Sequence, residues 1–239
     1  MAGDATPIDV RRAGERFHTD LGWLDSWHSF SFGGHYDPTN THHGLLLVHN
    51  DDVVAPEAGF PPHFHRDMEI VTWVLDGELE HGDTLGNRGV IRPGVAQRMS
   101  AGTGIRHSEM NPSAALAVHF VQMWVLPDTE GLEPSYEQVD VEADLERGGL
   151  VAVASGRPGR GAVTINQRDA TLFAGRLAAG TTVVVPDAPH VHVFVAVGGG
   201  ELDGAGPLAQ GDAVRLTAAG TRTFTAGPNG AEVLIWETA

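Results

Sequence analysis

Short apolar and β-branched runs alternate with turns marked by glycine, proline and aspartate through most of this chain. Met68 to Leu75 is such a run and ends in Asp76-Gly77, a hairpin signal. Glu78 to Asp83 is a short polar strand candidate, and Leu85 to Gly89 turns again. Val90 to Gly94 precedes a further strand at Ala96 to Met99. Leu116 to Leu126 is the longest candidate. Its period of two puts Leu116, Val118, Phe120, Gln122 and Trp124 on one face and Val121, Met123 and Val125 on the other. Both faces are largely apolar, so burial on both sides is expected. Upstream, Leu45 to Asn50 reads as a strand ending at an Asp51-Asp52 turn. The aromatic stretch from Gly22 to Phe32 reads as a strand or an ordered arm, and Gly33 to His43 is turn-rich. Residues 1–20 read as an irregular lead-in.

Beyond Pro127, residues 131–138 read as a linker, and Val139 to Arg147 as a short helix or irregular crossing. Strands then resume at 150–153, 163–165, 170–177, 181–186, 192–197, 212–216, 222–226 and 232–236. Turns at Gly198-Gly199-Gly200, Asp203-Gly204 and Gln210-Gly211-Asp212 punctuate them. The sequence Leu75-Asp76-Gly77-Glu78-Leu79 is echoed by the glycine-rich turn at 198–204. This predicts an internal repeat of about 100 residues. The expectation is an all-β chain of two antiparallel barrels or jelly rolls, one over residues 1–134 and one over 135–239, with little helix.

Charge narrows the partners. Across 239 residues, 31 acids face 15 bases for a net −16, and no basic cluster longer than Arg11-Arg12 stands out. Such a surface repels phosphate backbones, so direct nucleic-acid binding is not expected. The absence of cysteine excludes disulfides, thiolate metal sites and cysteine nucleophiles. No apolar run approaches a membrane span, and Met1 to Gly14 lacks the apolar core of a signal peptide. A cytoplasmic monomer is expected.

The chemistry rests on two pairs. His63 and His65 are two apart, as are His107 and Glu109, so on strands each pair shares a face. If both strands line one barrel, three imidazoles and a carboxylate converge. That donor set suits a divalent transition ion: Fe(II) first, with Mn, Ni, Cu, Co or Zn as alternatives. A lone His-x-His is a weak signal. A second His-x-Glu some 40 residues on, in a glycine-punctuated β context, is far more specific, because burying several ionisable groups on one face is costly without a metal. By alternation Glu69 faces the same way as His63 and His65, so it rivals Glu109 as the carboxylate.

The spacing His-x-His-x3-Glu-x7-Gly over 63–77 resembles the first cupin motif. More specifically, residues 61–87, 99–113 and 22–38 resemble the pirin family, which is similar to a two-cupin protein with one metal centre in its N-terminal half. The resemblance covers most of residues 10–140 and is looser beyond. It implies tandem cupin barrels of the double-stranded β-helix type, a metal site in the N-terminal barrel alone, and His63, His65, His107 and Glu109 as ligands. Glu69 is then left beside the site or paired in the core. The resemblance also implies quercetin 2,3-dioxygenase-like activity, the oxidative ring opening of a flavonol with loss of carbon monoxide. A small aromatic substrate and dioxygen would be the partners, and Glu109 or Glu69 the base. The alternative it implies is a metal- or redox-responsive regulator acting through a protein partner; a metal-dependent isomerase or hydrolase is a third reading.

The remaining histidines are expected to be ordinary. His81, in a charged hairpin, should be solvated, and His119 should be a core histidine with a hydrogen-bond partner. His18, His28, His35, His42, His43 and His49 are expected at the surface or in hydrogen bonds, with His28 and His35 as candidates for a pocket mouth. His190 and His192 repeat the His-x-His spacing, but Ala196 stands where a cupin glutamate would fall and no histidine follows. They are read as exposed edge residues without metal.

Overall fold

The computed structural model describes residues 7–239. The chain enters on β1 (Ile8–Arg11) and, after a 3-10 turn at Ala13–Glu15, runs through β2 (Phe17–Asp20), β3 (Leu24–His28), β4 (Leu46–Val54) and β5 (Gly59–His65). It continues with β6 (Glu69–Asp76), β7 (Leu79–Asp83), β8 (Arg88–Ile91), β9 (Val95–Ser100), β10 (Ile105–Met110), β11 (Val118–Val125) and β12 (Ser135–Asp140). A short helix, α1 (Glu142–Glu146), leads into the second half. There follow β13 (Val151–Ser155), β14 (Val163–Thr164), β15 (Ala170–Leu177), β16 (Thr182–Val185) and β17 (His190–Leu202). The chain ends with β18 (Gly206–Ala209), β19 (Ala213–Thr217) and β20 (Arg222–Thr238).

In the first half a seven-stranded sheet, β12-β9-β6-β11-β4-β3-β2, faces a four-stranded sheet, β5-β10-β7-β8. Between them lie Leu24, Val54, Val74, Leu79, Ile91, Val118 and Phe120, with a smaller apolar group of Ile70, Met99, Ala101 and Ile105. The second half is one wrapped sheet, β1-β19-β17-β20-β15-β13-β14, with β16 added to β20 and β18 to β17. It encloses its own core around Val193, Val195, Leu216, Phe224 and Ile235.

The alternation of β11 explains how the halves join. Val118 and Phe120 fill the first barrel. Val121, Met123 and Val125 turn outward and pack with Trp73 against Leu172, Phe194, Leu234 and Trp236 of the second half. Both faces are therefore buried, as the sequence pattern predicts. Polar clamps flank this junction: Trp73 Nε1 donates to Glu232 (2.7 Å), and Arg176 bridges Glu232 and Glu142.

Four expectations need correction. The lead-in contains two strands, β1 and β2, because Ile8 and Val10 alternate onto the core of the second half; its first six residues lie outside the described ones. Asp51-Asp52 is not a turn, since β4 runs straight through it. Asp51 is paired with Arg16 (3.0 Å) and His119 (2.6 Å), and Asp52 accepts from Ser26, so the strand satisfies both acids. The expected linker over 131–138 becomes β12 from Ser135 and pairs with β9, which carries the first sheet past residue 134. Finally, the glycines at 198–200 lie within β17, and the two strands expected over 222–236 are one, β20; register shifts near Ala196 and Gly199 absorb the irregularity.

Candidate metal centre

The site forms where β5 and β10 pair. Their antiparallel register sets His107 opposite His63 and Ile105 opposite His65. The turn entering β10 is tight. Gly102 has φ +46°, and a Cβ there would meet Leu132 O at 2.1 Å, so only glycine fits. The outcome is a compact triad: one ring nitrogen from each of His63, His65 and His107 lies within 4.8 Å of the others. Ring centroids are 4.4 Å apart for His63 and His107, 4.8 Å for His63 and His65, and 5.0 Å for His65 and His107.

Hydrogen bonds fix which nitrogens are free. His63 Nδ1 lies 2.9 Å from Pro61 O. A carbonyl only accepts, so Nδ1 carries the proton and Nε2 keeps its lone pair. The Nε2 atoms of His65 and His107 are buried and have no partner within the protein. Burial is also the leading reason that His65 is pushed down to about 4 and His107 to about 3, the neighbouring imidazoles adding to it. His65 and His107 are therefore neutral at pH 7, the state in which imidazole donates to a metal. Orphaned buried nitrogens, converging and uncharged, fit a transition ion.

Glu109 lies outside that compact triad. A register shift between His107 and Glu109 sets Glu109 opposite Phe60. Its buried carboxylate accepts from Gln122 Nε2 at 2.9 and 2.8 Å, while Thr72 Oγ1 lies 3.5 Å away. Gln122 Oε1 in turn accepts from Trp124 Nε1 (3.1 Å), and the Trp124 ring stands edge-on to His65 at 4.9 Å. Burial pushes the nearby Asp52 carboxyl up to about 7, with the charges of Asp51 and Glu109 adding to the shift.

Glu69 is placed elsewhere. Although buried, it accepts from Ser100 Oγ (2.7 Å) and from the backbone and side-chain amides of Asn166 (3.0 and 3.1 Å). Asn166 belongs to the second half, so Glu69 pins the two halves together. Strand alternation aligned it with His63 and His65 only if all three shared a sheet; β6 and β5 lie in different sheets.

His81 is fully buried, contrary to the solvated position expected for it. It stacks on Tyr136 at 4.5 Å, and its Nε2 lies 3.3 Å from Asp83 while its Nδ1 lies 3.4 Å from His107 Nδ1. The polar strand β7 is internal because it sits between β10 and β8. His119 has its partner, Asp51, but is only half-buried. His28 is buried between Asn50 and Thr19, and Thr19 also bonds His35. His18 stacks on Trp27 beside Asp25, His42 bonds Thr41, and His43 bonds Leu216 O.

The second His-x-His is also not at an exposed edge. His192 is 1% exposed and His49 0%, and their rings meet 4.9 Å apart at the junction of the halves. On β17 it is Val191, Val193 and Val195 that point into the second barrel. His190 and His192 therefore face outward by alternation, and His190 bonds Ala239 O.

Sequence reasoning missed Gln122, Trp124, His81 and Asp83 as parts of this site. Gln122 had one legible signal, as a polar residue on an otherwise apolar strand face. His81 had only its i+2 pairing with Asp83 on the same strand, since Tyr136 and His107 come from other strands.

Comparison with known proteins supplies the context. Residues 9–125 match the family model described as Pirin, and residues 152–238 match one described as the quercetinase C-terminal cupin domain. A Mycobacterium tuberculosis protein, provisionally named a quercetin 2,3-dioxygenase, is 59% identical over 231 residues, covering 96% of this chain and 94% of that protein. The quercetin 2,3-dioxygenase of Escherichia coli K12 is 51% identical over 131 residues, 55% of this chain and 57% of its own length. Among solved structures, the bacterial pirin YhhW of E. coli in complex with nickel(II) superposes with a TM-score of 0.88 at 36% identity, covering 97% of this chain and 98% of that one.

Proposed function

This chain belongs to the pirin family, and from that premise we propose that it is a metal-dependent dioxygenase opening the central ring of a flavonol such as quercetin with release of carbon monoxide. The observation that carries the reading is the converging triad of His63, His65 and His107, two of whose Nε2 atoms are buried without a partner. The relatives' names give the reaction class, and the nickel(II) complex of the bacterial pirin supports a single divalent transition ion, iron(II) or nickel(II). In this reading the three histidines hold the ion in the first barrel alone, since His190 and His192 face away from the second barrel's interior.

When bound, the ion supplies an electron-pair acceptor that lowers the pKa of a ligated hydroxyl and a redox-capable centre for dioxygen. The protein's own groups do the rest. Glu109, on the same strand as His107, would be the fourth donor to the ion and the group that takes the proton of the flavonol 3-hydroxyl. Gln122 donates to both carboxylate oxygens and so keeps Glu109 aimed. Trp124, half-buried between His65 and Phe32 (5.5 Å), offers an apolar wall to a flat aromatic ring. Glu69 is assigned no proton transfer, because it lies on β6, in the sheet opposite β5 and β10, and is tied to Asn166 of the second half.

The test is turnover. The protein is loaded in turn with Fe(II), Ni(II), Mn(II), Cu(II), Co(II) or Zn(II) and given quercetin under oxygen. Loss of the flavonol absorbance with stoichiometric carbon monoxide is expected with at least one metal and not with His63→Ala. Absence of bleaching with every metal would reject the flavonol reading.

A further inference from the structure

Arg215 lies on β19 at the junction of the halves and is only 6% exposed. Its guanidinium sits 4.3 Å over the Phe30 ring, and Nη2 donates to Ser29 O (2.7 Å). Nε is buried with no partner. Among the described residues no carboxylate forms an ion pair with it. The nearby acids are engaged elsewhere: Asp9 bonds Arg11, Glu15 accepts from the Arg12 amide, and Asp51 holds Arg16 and His119. A buried cation without a counter-charge costs several kcal/mol in a typical protein, order of magnitude. Burial lowers even this guanidinium to about 10. The cation–π contact and one carbonyl offset that only in part.

Two spaces meet at Arg215. The inner one is a small, partly open chamber of about 20 Å³, lined by Asn40, Arg16 and Glu15 among others. It has room for about one water, and Asn40 Oδ1 is itself a buried acceptor without a donor. A water there suits both orphan atoms but supplies no ion pair to the guanidinium. The outer space is a groove of about 380 Å³. Into it come Arg11 from β1, Thr39, His42 and His43 from the long connection before β4, and Arg215 and Thr217 from β19. Asp9, its one carboxylate, is bonded to Arg11. On a chain of net charge −16, a groove that sets two arginines against one carboxylate is a local inversion of sign. An arginine N–H suits a carboxylate or phosphoryl oxygen as a charge-assisted donor, and the size falls in the range of small-molecule sites.

We propose that this groove binds the carboxylate or phosphate group of a small molecule, held by Arg215 and Arg11 where the two halves meet. The ligand would touch β1, the 39–43 connection and β19 together, so its binding clamps the halves. The site is separate from the histidine triad and does not depend on the dioxygenase reading.

The test uses the metal-loaded full chain in calorimetric and thermal titrations with inorganic phosphate, acetate and chloride at matched ionic strength. Phosphate or acetate is expected to raise Tm saturably beyond chloride, and the stronger of the two names the ligand class. Arg11→Gln should weaken that affinity about tenfold, the worth of one charge-assisted hydrogen bond. Arg215→Met should abolish the response while leaving Tm in anion-free buffer no lower, because an unpaired buried charge has been removed. His63→Ala should keep the response, showing that the metal is not the anchor. Should Arg215→Met fail to fold, Arg11→Gln decides alone. The proposal is overturned if neither oxyanion exceeds chloride, if Arg11→Gln titrates like the parent, or if His63→Ala loses the effect.

Discussion

His81 and His107 meet nitrogen to nitrogen, Nδ1 to Nδ1, at 3.4 Å. Two imidazole nitrogens can share a hydrogen bond only if one carries the proton. Asp83, a carboxylate 3.3 Å from His81 Nε2, accepts and so places the His81 proton on Nε2. His81 Nδ1 is then an acceptor, His107 Nδ1 the donor, and His107 Nε2 the free lone pair. A residue 26 positions away thus selects the tautomer of a candidate ligand. His81→Phe should weaken metal binding about 10- to 100-fold, the usual range for losing such a support. Chelator competition with Co(II) or Cu(II) measures it, and the Cu(II) EPR spectrum should change with it. An unaltered affinity would show that His81 merely fills space.

Glu109→Gln removes a proton acceptor while keeping the side chain's size next to Gln122. Turnover of quercetin should fall by about 10²–10⁴, the range for a general base. Metal content by elemental analysis should fall less than in His107→Ala, since the three histidines remain. Full turnover in Glu109→Gln would remove the base role from this residue.

Glu69→Ala tests the rival carboxylate. The change strips acceptors from Ser100 and from both amides of Asn166 at the junction of the halves. Each buried donor left unpaired costs about 1–3 kcal/mol. Urea unfolding should show that loss, while turnover per folded, metal-loaded molecule stays near that of the parent at 25 °C. A folded variant without turnover would restore Glu69 to the chemistry.

Burial pushes His49 down to about 3 and His192 well below 6.5. Both are neutral in the folded protein at pH 7. Once pH falls below 6.5 the unfolded chain takes up these protons and the folded chain does not, so stability is lost as pH falls from 6.5 towards 3. Each histidine adds at most about 1.4 kcal/mol per pH unit to that slope. His49→Leu should give a shallower decline between urea midpoints at pH 7 and pH 5. An identical slope would mean that His49 is protonated, or accessible, in the folded state.

How much of the site was legible depended on whether its contacts are local. The triad could be read because period two sets His63 beside His65, and one antiparallel pairing brings His107 opposite. Glu109 was legible as a neighbour but not in its engagement, since the register shift after His107 and the reach of Gln122 belong to three-dimensional pairing. Asp51-Asp52 resembled a turn because acids seldom sit inside strands, and only Arg16, His119 and Ser26, distant in sequence, make them tolerable there. His192 was misjudged for a similar reason: the ring it meets, His49, is 143 residues away, and each is polar in its own strand until the halves close over both.

The pairing of Ile8 with Leu216 and of Arg11 with Ala213 has a consequence for the order of events at the ribosome. At about 5–20 residues per second, the partner of β1 is synthesised roughly 10–40 s after β1 itself. The first barrel can close during that interval, but its leading strand must wait with unpaired backbone groups. Separate expression of the two barrels would therefore leave β19 exposed in one fragment and β1 idle in the other. A circular permutant that moves residues 7–12 behind the last strand would let both barrels complete themselves in turn.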